Sequence, residues 1–257
     1  IISMLFGTVF VGYYSNYYML IVYINSIYFI ITSSLEASIG NLNADYNEEK
    51  SRNIYNKLFF LITIVNSLCV SGFICVVQDF IRVWIGESYL QSMALVIALS
   101  VTFYLQQSMS ITYLFRQTFG MFTEVKIIYL IMAILNVVLS FVLGKAFGVA
   151  GVAFATGLSR LVTVFWYEGK LVFSKFGAKT FDYIKQQLKS AICIACSVLI
   201  ALRLCILIPY IGLLSVVVKG CVAIIIALVV DFIFYRRSNE WLWAIQTIMK
   251  KVKLKKQ

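Results

Sequence analysis

Apolar runs of membrane-crossing length recur along this chain, and the basic residues between them fall almost entirely on one side. Tyr17 to Leu35, Leu58 to Val77 and Ile127 to Leu143 are each mostly apolar, and about 20 such residues cross a ~30 Å hydrocarbon layer as helix. In lipid, only helices and closed barrels satisfy their own backbone groups. The runs here are continuous rather than alternating, so they read as helix. The class is therefore all-α, a polytopic transmembrane helix bundle.

Charge supports the same class. Charged residues are 13% of the chain against a hydrophobic fraction of 61%, where soluble domains carry roughly a quarter charged residues. A net charge of +11 would suit nucleic acid, but the cations sit between apolar runs, where they set topology, so no nucleic-acid partner is expected. The chain has no histidine, which removes imidazole bases, histidine-ligated metals and histidine proton relays.

Spans are expected near 1–14, 17–40, 57–78, 90–115, 125–145, 148–169, 190–208 and 211–235. Very short turns are expected at Tyr14-Ser15-Asn16 and around Gly148, with longer polar segments at Asn41 to Asn56, Lys170 to Gln187 and Arg236 to Gln257. Seventeen of the 22 lysines and arginines fall in alternate loops and the tail, while Arg82 and Lys145 alone occupy the opposite loops. The positive-inside rule then places the Asn41–Asn56 segment and the C-terminus in the cytoplasm, in a multi-pass protein of the inner (cytoplasmic) membrane. The first apolar stretch, Ile1 to Val11, is too short to span, as expected for the C-terminal part of a longer protein cut inside a helix. In the tail, Trp241, Ile245, Ile248, Met249 and Val252 recur at helical spacing beside Lys250, Lys251 and Lys253. That pattern reads either as an interfacial helix on anionic lipid or as a basic tail that fixes topology.

Polar residues inside spans are costly, so their placement is informative. Asn25, Thr32 and Glu36 share one helical face. Thr102, Gln106, Ser110, Tyr113 and Arg116 form a second stripe, and Thr156, Arg160, Thr163 and Tyr167 a third. Such stripes are either interhelical hydrogen bonds or the lining of a shared hydrophilic cavity. Asn66, Asn136 and the span serines fit the first reading. Arg116, Arg160 and Glu36 fit the second, although Glu36 and Arg116 lie near span ends where interfacial placement competes. Among acidic residues, Glu36 and Asp231 are the span-associated candidates. Arg203 and Lys219 lie in the outward halves of the last two spans, where long basic side chains snorkel.

No motif points to catalysis. HExxH, GxSxG and a phosphate-cradling GK[ST] loop are all absent, and the acidic residues do not pair at metal-ligand spacing. Cys193 and Cys196 form a CxxC without a second pair or a histidine, less than four-ligand zinc requires. The expectation is a non-enzyme without cofactor or metal.

Three motifs in order carry a family resemblance. They are Val11-Gly12-Tyr13-Tyr14-Ser15, Gly86-Glu87-Ser88-Tyr89 and Phe147-Gly148-Val149-Ala150-Gly151-Val152-Ala153-Phe154-Ala155-Thr156. With the polar segment from Gly40-Asn41-Leu42 to Lys50, they resemble the polysaccharide-export flippases (O-antigen and exopolysaccharide) of the multidrug/oligosaccharidyl-lipid/polysaccharide exporter superfamily. The resemblance implies a second six-helix lobe of a two-lobe transporter over 1–178, its first helix truncated. Two additional helices over 179–235 and a basic amphipathic cytoplasmic tail over 236–257 follow. It implies a flippase moving undecaprenyl-diphosphate-linked oligosaccharide repeat units across the membrane by alternating access. The implied partners are that lipid-linked substrate, membrane lipids, a glycan polymerase and chain-length proteins.

The family has no catalytic motif to transfer, so the site residues come from the polar stripes. Arg116 and Arg160 suit a diphosphate through their planar forks. Gln106, Tyr113 and Asn25 suit sugar hydroxyls, and Glu36 suits a coupling or gating carboxylate. The alternatives are a drug or cation antiporter of the same superfamily, disfavoured by the shortage of buried carboxylates, and a membrane-embedded glycan-modifying enzyme.

Overall fold

The computed structural model describes residues 1–44 and 47–254. Among these all the regular structure is helical: α1 (Ile2–Phe6), α2 (Thr8–Ala44), α3 (Glu48–Trp84), α4 (Met93–Ser108), α5 (Ser110–Thr118), α6 (Lys126–Val162), α7 (Val164–Lys175), α8 (Thr180–Ile206), α9 (Leu213–Tyr235) and α10 (Asn239–Leu254). A single 3₁₀ turn, Glu87–Tyr89, joins α3 to α4. Six stretches are long and apolar enough to cross a membrane, one of them the 50-residue run Lys126–Lys175. That run reverses at Gly148, whose φ of 67° and ψ of −150° are open mainly to glycine. The reversal brings Asn136 Nδ2 within 3.2 Å of Thr156 Oγ1, a contact no straight helix could make at 1.5 Å per residue. The short turn expected around Gly148 is this reversal.

The turn expected at Tyr14-Ser15-Asn16 does not form. α2 runs unbroken through it, and the Ser15 hydroxyl donates back to the Val11 carbonyl at 2.6 Å, the local bond by which serine sits inside a helix. The break lies instead at Gly7, with φ of 90°. The segment 41–56, expected as a polar loop, is mostly helix at both ends. Asn47 caps α3 by accepting from the Lys50 N–H, with Glu48 and Glu49 in the first turn, where carboxylates complement the exposed N–H groups. Similarly, 170–187 is helical apart from 176–179.

α3 is the hub. It packs on α9, α8, α4, α2 and α5, and its small polar residues face these neighbours. Tyr28 Oη donates to Asn66 Oδ1 at 2.7 Å, Thr63 and Ser190 hydroxyls pair at 3.3 Å, and Ser67 donates to Ser197 at 3.4 Å. These are the interhelical bonds expected of the span asparagines and serines, worth roughly 0.6 kcal/mol each on average. An aromatic cluster of Tyr55, Phe115, Phe173 and Phe176 closes one end of the bundle. That end carries residue 47, the 119–125 turn, the 176–179 turn and α10, and hence most of the cations. Lys219 does not snorkel: its Nζ lies 2.6 Å from Asp79 Oδ2 in the α3–α9 contact. In the tail, Trp241 packs on Phe60 and Phe232, while Ile245 and Met249 are exposed. The side chains of Ile248, Lys251, Val252 and Lys253 lie outside the described residues.

Candidate functional site

Two helix breaks lie beside one polar cavity. α4 and α5 are separated at Met109, and α6 and α7 at Thr163, where φ/ψ of −114°/−92° leaves the helical region. Between them opens a cavity of about 310 Å³ lined by Gln106, Gln107, Met109, Ser110, Tyr113, Tyr129, Arg160 and Glu168. A second cavity of about 240 Å³ shares Ser110 and Tyr113 and extends to Thr32, Ser33, Glu36 and Gln117. Together they make a polar path from α2 toward the α5–α7 contact.

Glu168 is fully buried and anchors the inner wall. Tyr129 Oη donates to its Oε1 at 2.8 Å, and Arg116 Nε lies 2.9 Å from the same oxygen. Arg116 Nη1 donates to the Met121 carbonyl at 2.9 Å, and its guanidinium lies 4.7 Å from the Tyr113 ring centroid. Glu168 Oε2 and Arg160 Nε are both buried and accept or donate no hydrogen bond among the described residues. The cavity wall therefore contains one carboxylate oxygen and one guanidinium nitrogen that are buried without a hydrogen-bond partner among the described residues, beside hydroxyls and amides. Such a lining can bind an anion at Arg160, a cation at Glu168, or hydroxyl-rich groups at Gln106, Ser110 and Tyr113. In the 119–125 turn, the exposed Glu124 carboxyl is held below the ordinary range by hydrogen bonds from its own backbone N–H and from the Thr123 hydroxyl.

Of the residues singled out from sequence, Gln106, Tyr113 and Arg160 line the first cavity and Glu36 the second. Arg116 lies 3% exposed behind the Tyr113 ring and within the ion pair, not at an interface. Asn25 accepts from Gln107 Nε2 at 2.5 Å, tying α2 to α4. The stripe from Thr102 to Arg116 divides: Thr102 turns to α6, donating to the Ala153 carbonyl at 3.0 Å, while Gln106, Ser110 and Tyr113 face the cavity.

Sequence reasoning missed Glu168 and Asp79, both buried within helices. The reading of Glu36 and Asp231 as the span-associated acids is thereby corrected, and with it the shortage of buried carboxylates. Asp231 is itself buried and accepts from the Cys193 thiol at 3.2 Å. Among the described residues no three His, Cys, Asp or Glu side chains converge as a metal site. Comparisons with protein-family models, with curated proteins and with solved structures each found no match.

Proposed function

We propose that this chain forms part of a flippase that carries undecaprenyl-diphosphate-linked oligosaccharide repeat units across the cytoplasmic membrane, with residue 47 and the C-terminus on the cytoplasmic side. The observation that carries this reading is Arg160: a guanidinium with a free donor, facing a cavity of amides and hydroxyls inside a bundle of apolar helices. A mid-span arginine costs at least about 2.5 kcal/mol to insert. A diphosphate would satisfy its fork, and Gln106, Ser110 and Tyr113 offer bonds to sugar hydroxyls. The lipid tail would remain in the bilayer. Arg116, held by Glu168, shapes the wall behind Tyr113, and Glu36 at the far end of the path is the gating or coupling carboxylate. A glycan polymerase and chain-length proteins would then consume the product.

A cation-coupled antiporter is the second reading, favoured by the unused Oε2 of Glu168. The experiment is export in cells offered two different repeat units at matched protein levels. Arg160→Ala should abolish export of both, because the diphosphate is common to them. Gln106→Ala and Tyr113→Phe should change the ratio exported, because hydroxyl-matching bonds discriminate between sugars. Normal export by Arg160→Ala sinks the flippase reading. Cation-dependent drug resistance that disappears in Glu168→Gln would establish the antiporter instead.

A further inference from the structure

A third polar cavity, separate from the path just described, opens at the cation-rich end between α3, α8 and α10. Its volume is about 430 Å³, and Lys185, Lys189, Arg52, Asp182 and Gln186 stand in its wall over the Phe60 ring. Arg52 and Asp182 neutralise each other at 3.0 Å. Lys185 and Lys189 are one helical turn apart, and neither has a carboxylate within ion-pair distance among the described residues. Lys189 is instead held with its Nζ 4.3 Å from the Tyr235 ring centroid, which fixes the ammonium without neutralising it. Gln186 Nε2 reaches Asn56 Oδ1 at 3.4 Å, so amide groups stand beside the two charges. Glu240 is the other acid of the wall, leaving a surplus of one positive charge.

The surroundings are those of a membrane surface. Trp243 receives Lys57 Nζ at 5.2 Å from its ring, and tryptophan with lysine marks the headgroup level. At 100° per residue, Phe181, Leu188, Ile192 and Leu199 fall on one strip of α8 beside Lys185. All four are exposed, from 47% to 68%.

We infer that this cavity binds the phosphate of an anionic membrane lipid, its two ammonium groups on the phosphate oxygens and the lipid chains along the exposed strip of α8. A zwitterionic headgroup carries its own cation, which the lysines repel, so the site selects negative lipids. Phosphate chemistry is also offered by inorganic phosphate, and the test separates the two sources.

The full chain, purified in mild detergent, is offered an equal mixture of phosphatidylglycerol and phosphatidylcholine, and retained lipid is counted by native mass spectrometry. Phosphatidylglycerol should be preferred. Lys185→Gln/Lys189→Gln should lower that preference by about thirtyfold, the effect of two interfacial lysines, and Lys185→Gln alone by about fivefold. Arg203→Gln, an exposed cation at the other end of α8, should leave it unchanged. Displacement of the lipid by 10 mM inorganic phosphate alone would overturn the lipid source and assign a soluble phosphate. Equal retention by the wild type and the lysine variants, or an equal loss in Arg203→Gln, would overturn the site.

Discussion

Breaking the Arg116–Glu168 pair should destabilise the protein more than any surface change, and restoring neutrality should recover much of the loss. The side chains are 4% and 0% exposed and 2.9 Å apart. Their attraction is about 6 kcal/mol at an effective dielectric near 20, offset by several kcal/mol of lost hydration per ion. The pair as a whole is therefore close to neutral for stability. Removing one partner strands the other, at roughly 3–5 kcal/mol. Glu168→Gln keeps the volume and an acceptor for Tyr129 while stranding the guanidinium. Arg116 retains its Met121 carbonyl and Tyr113 ring, and Arg160 shares the wall, so the lower part of that range is expected. The shift follows from about 2–4 °C per kcal/mol for a domain of this size, giving a fall of roughly 6–12 °C in apparent Tm. Fluorescence of the four tryptophans reports it during heating of the purified protein. Arg116→Met/Glu168→Gln should lie at least half-way back to the wild type. A Glu168→Gln protein melting within about 2 °C of the wild type, or a double variant as low as the sum of the singles, would refute the account.

The remaining expectations concern topology and the helix reversal. A cysteine placed at Asn47, in a background lacking the six native cysteines, should react with an impermeant maleimide only after the membrane is opened; labelling from outside intact cells reverses the orientation. Gly148→Ala should lower Tm by several degrees, since a side chain at φ 67° and ψ −150° costs roughly 1–3 kcal/mol, and an unchanged Tm would mean that the reversal relaxes freely.

The helices and the Gly148 reversal were legible because apolar length and a glycine between two apolar runs are local signals. The Tyr14–Asn16 turn was misread for the same reason: three polar side chains look like a loop until Ser15 is seen bonding within the helix. Glu168 was hidden by Thr163. Projecting the Arg160 stripe forward along a straight helix selects Tyr167, and the break at Thr163, marked by neither glycine nor proline, rotates α7 so that Glu168 faces inward instead. Asp79 and Lys219 are 140 residues apart, and their pairing depends on α9 lying against α3, which no spacing within either helix reveals.

The Met109 and Thr163 breaks give the polar cavity a mechanical character. Below them, α5 and α7 are fastened to each other by Arg116 and Glu168; above them, α4 and the second arm of α6 are fastened by Thr102 and Ala153. The cavity straddles both joints, with Gln106 and Arg160 on one side and Tyr113 and Glu168 on the other. Arg160 and Glu168 stand on either side of the Thr163 joint, so a change of angle there would change the gap between them. Such a change would be resisted by the Tyr129 bond to Glu168 and by the packing of α5 on α2 and of α7 on α8, so the buried carboxylate that anchors the wall also restrains the joint.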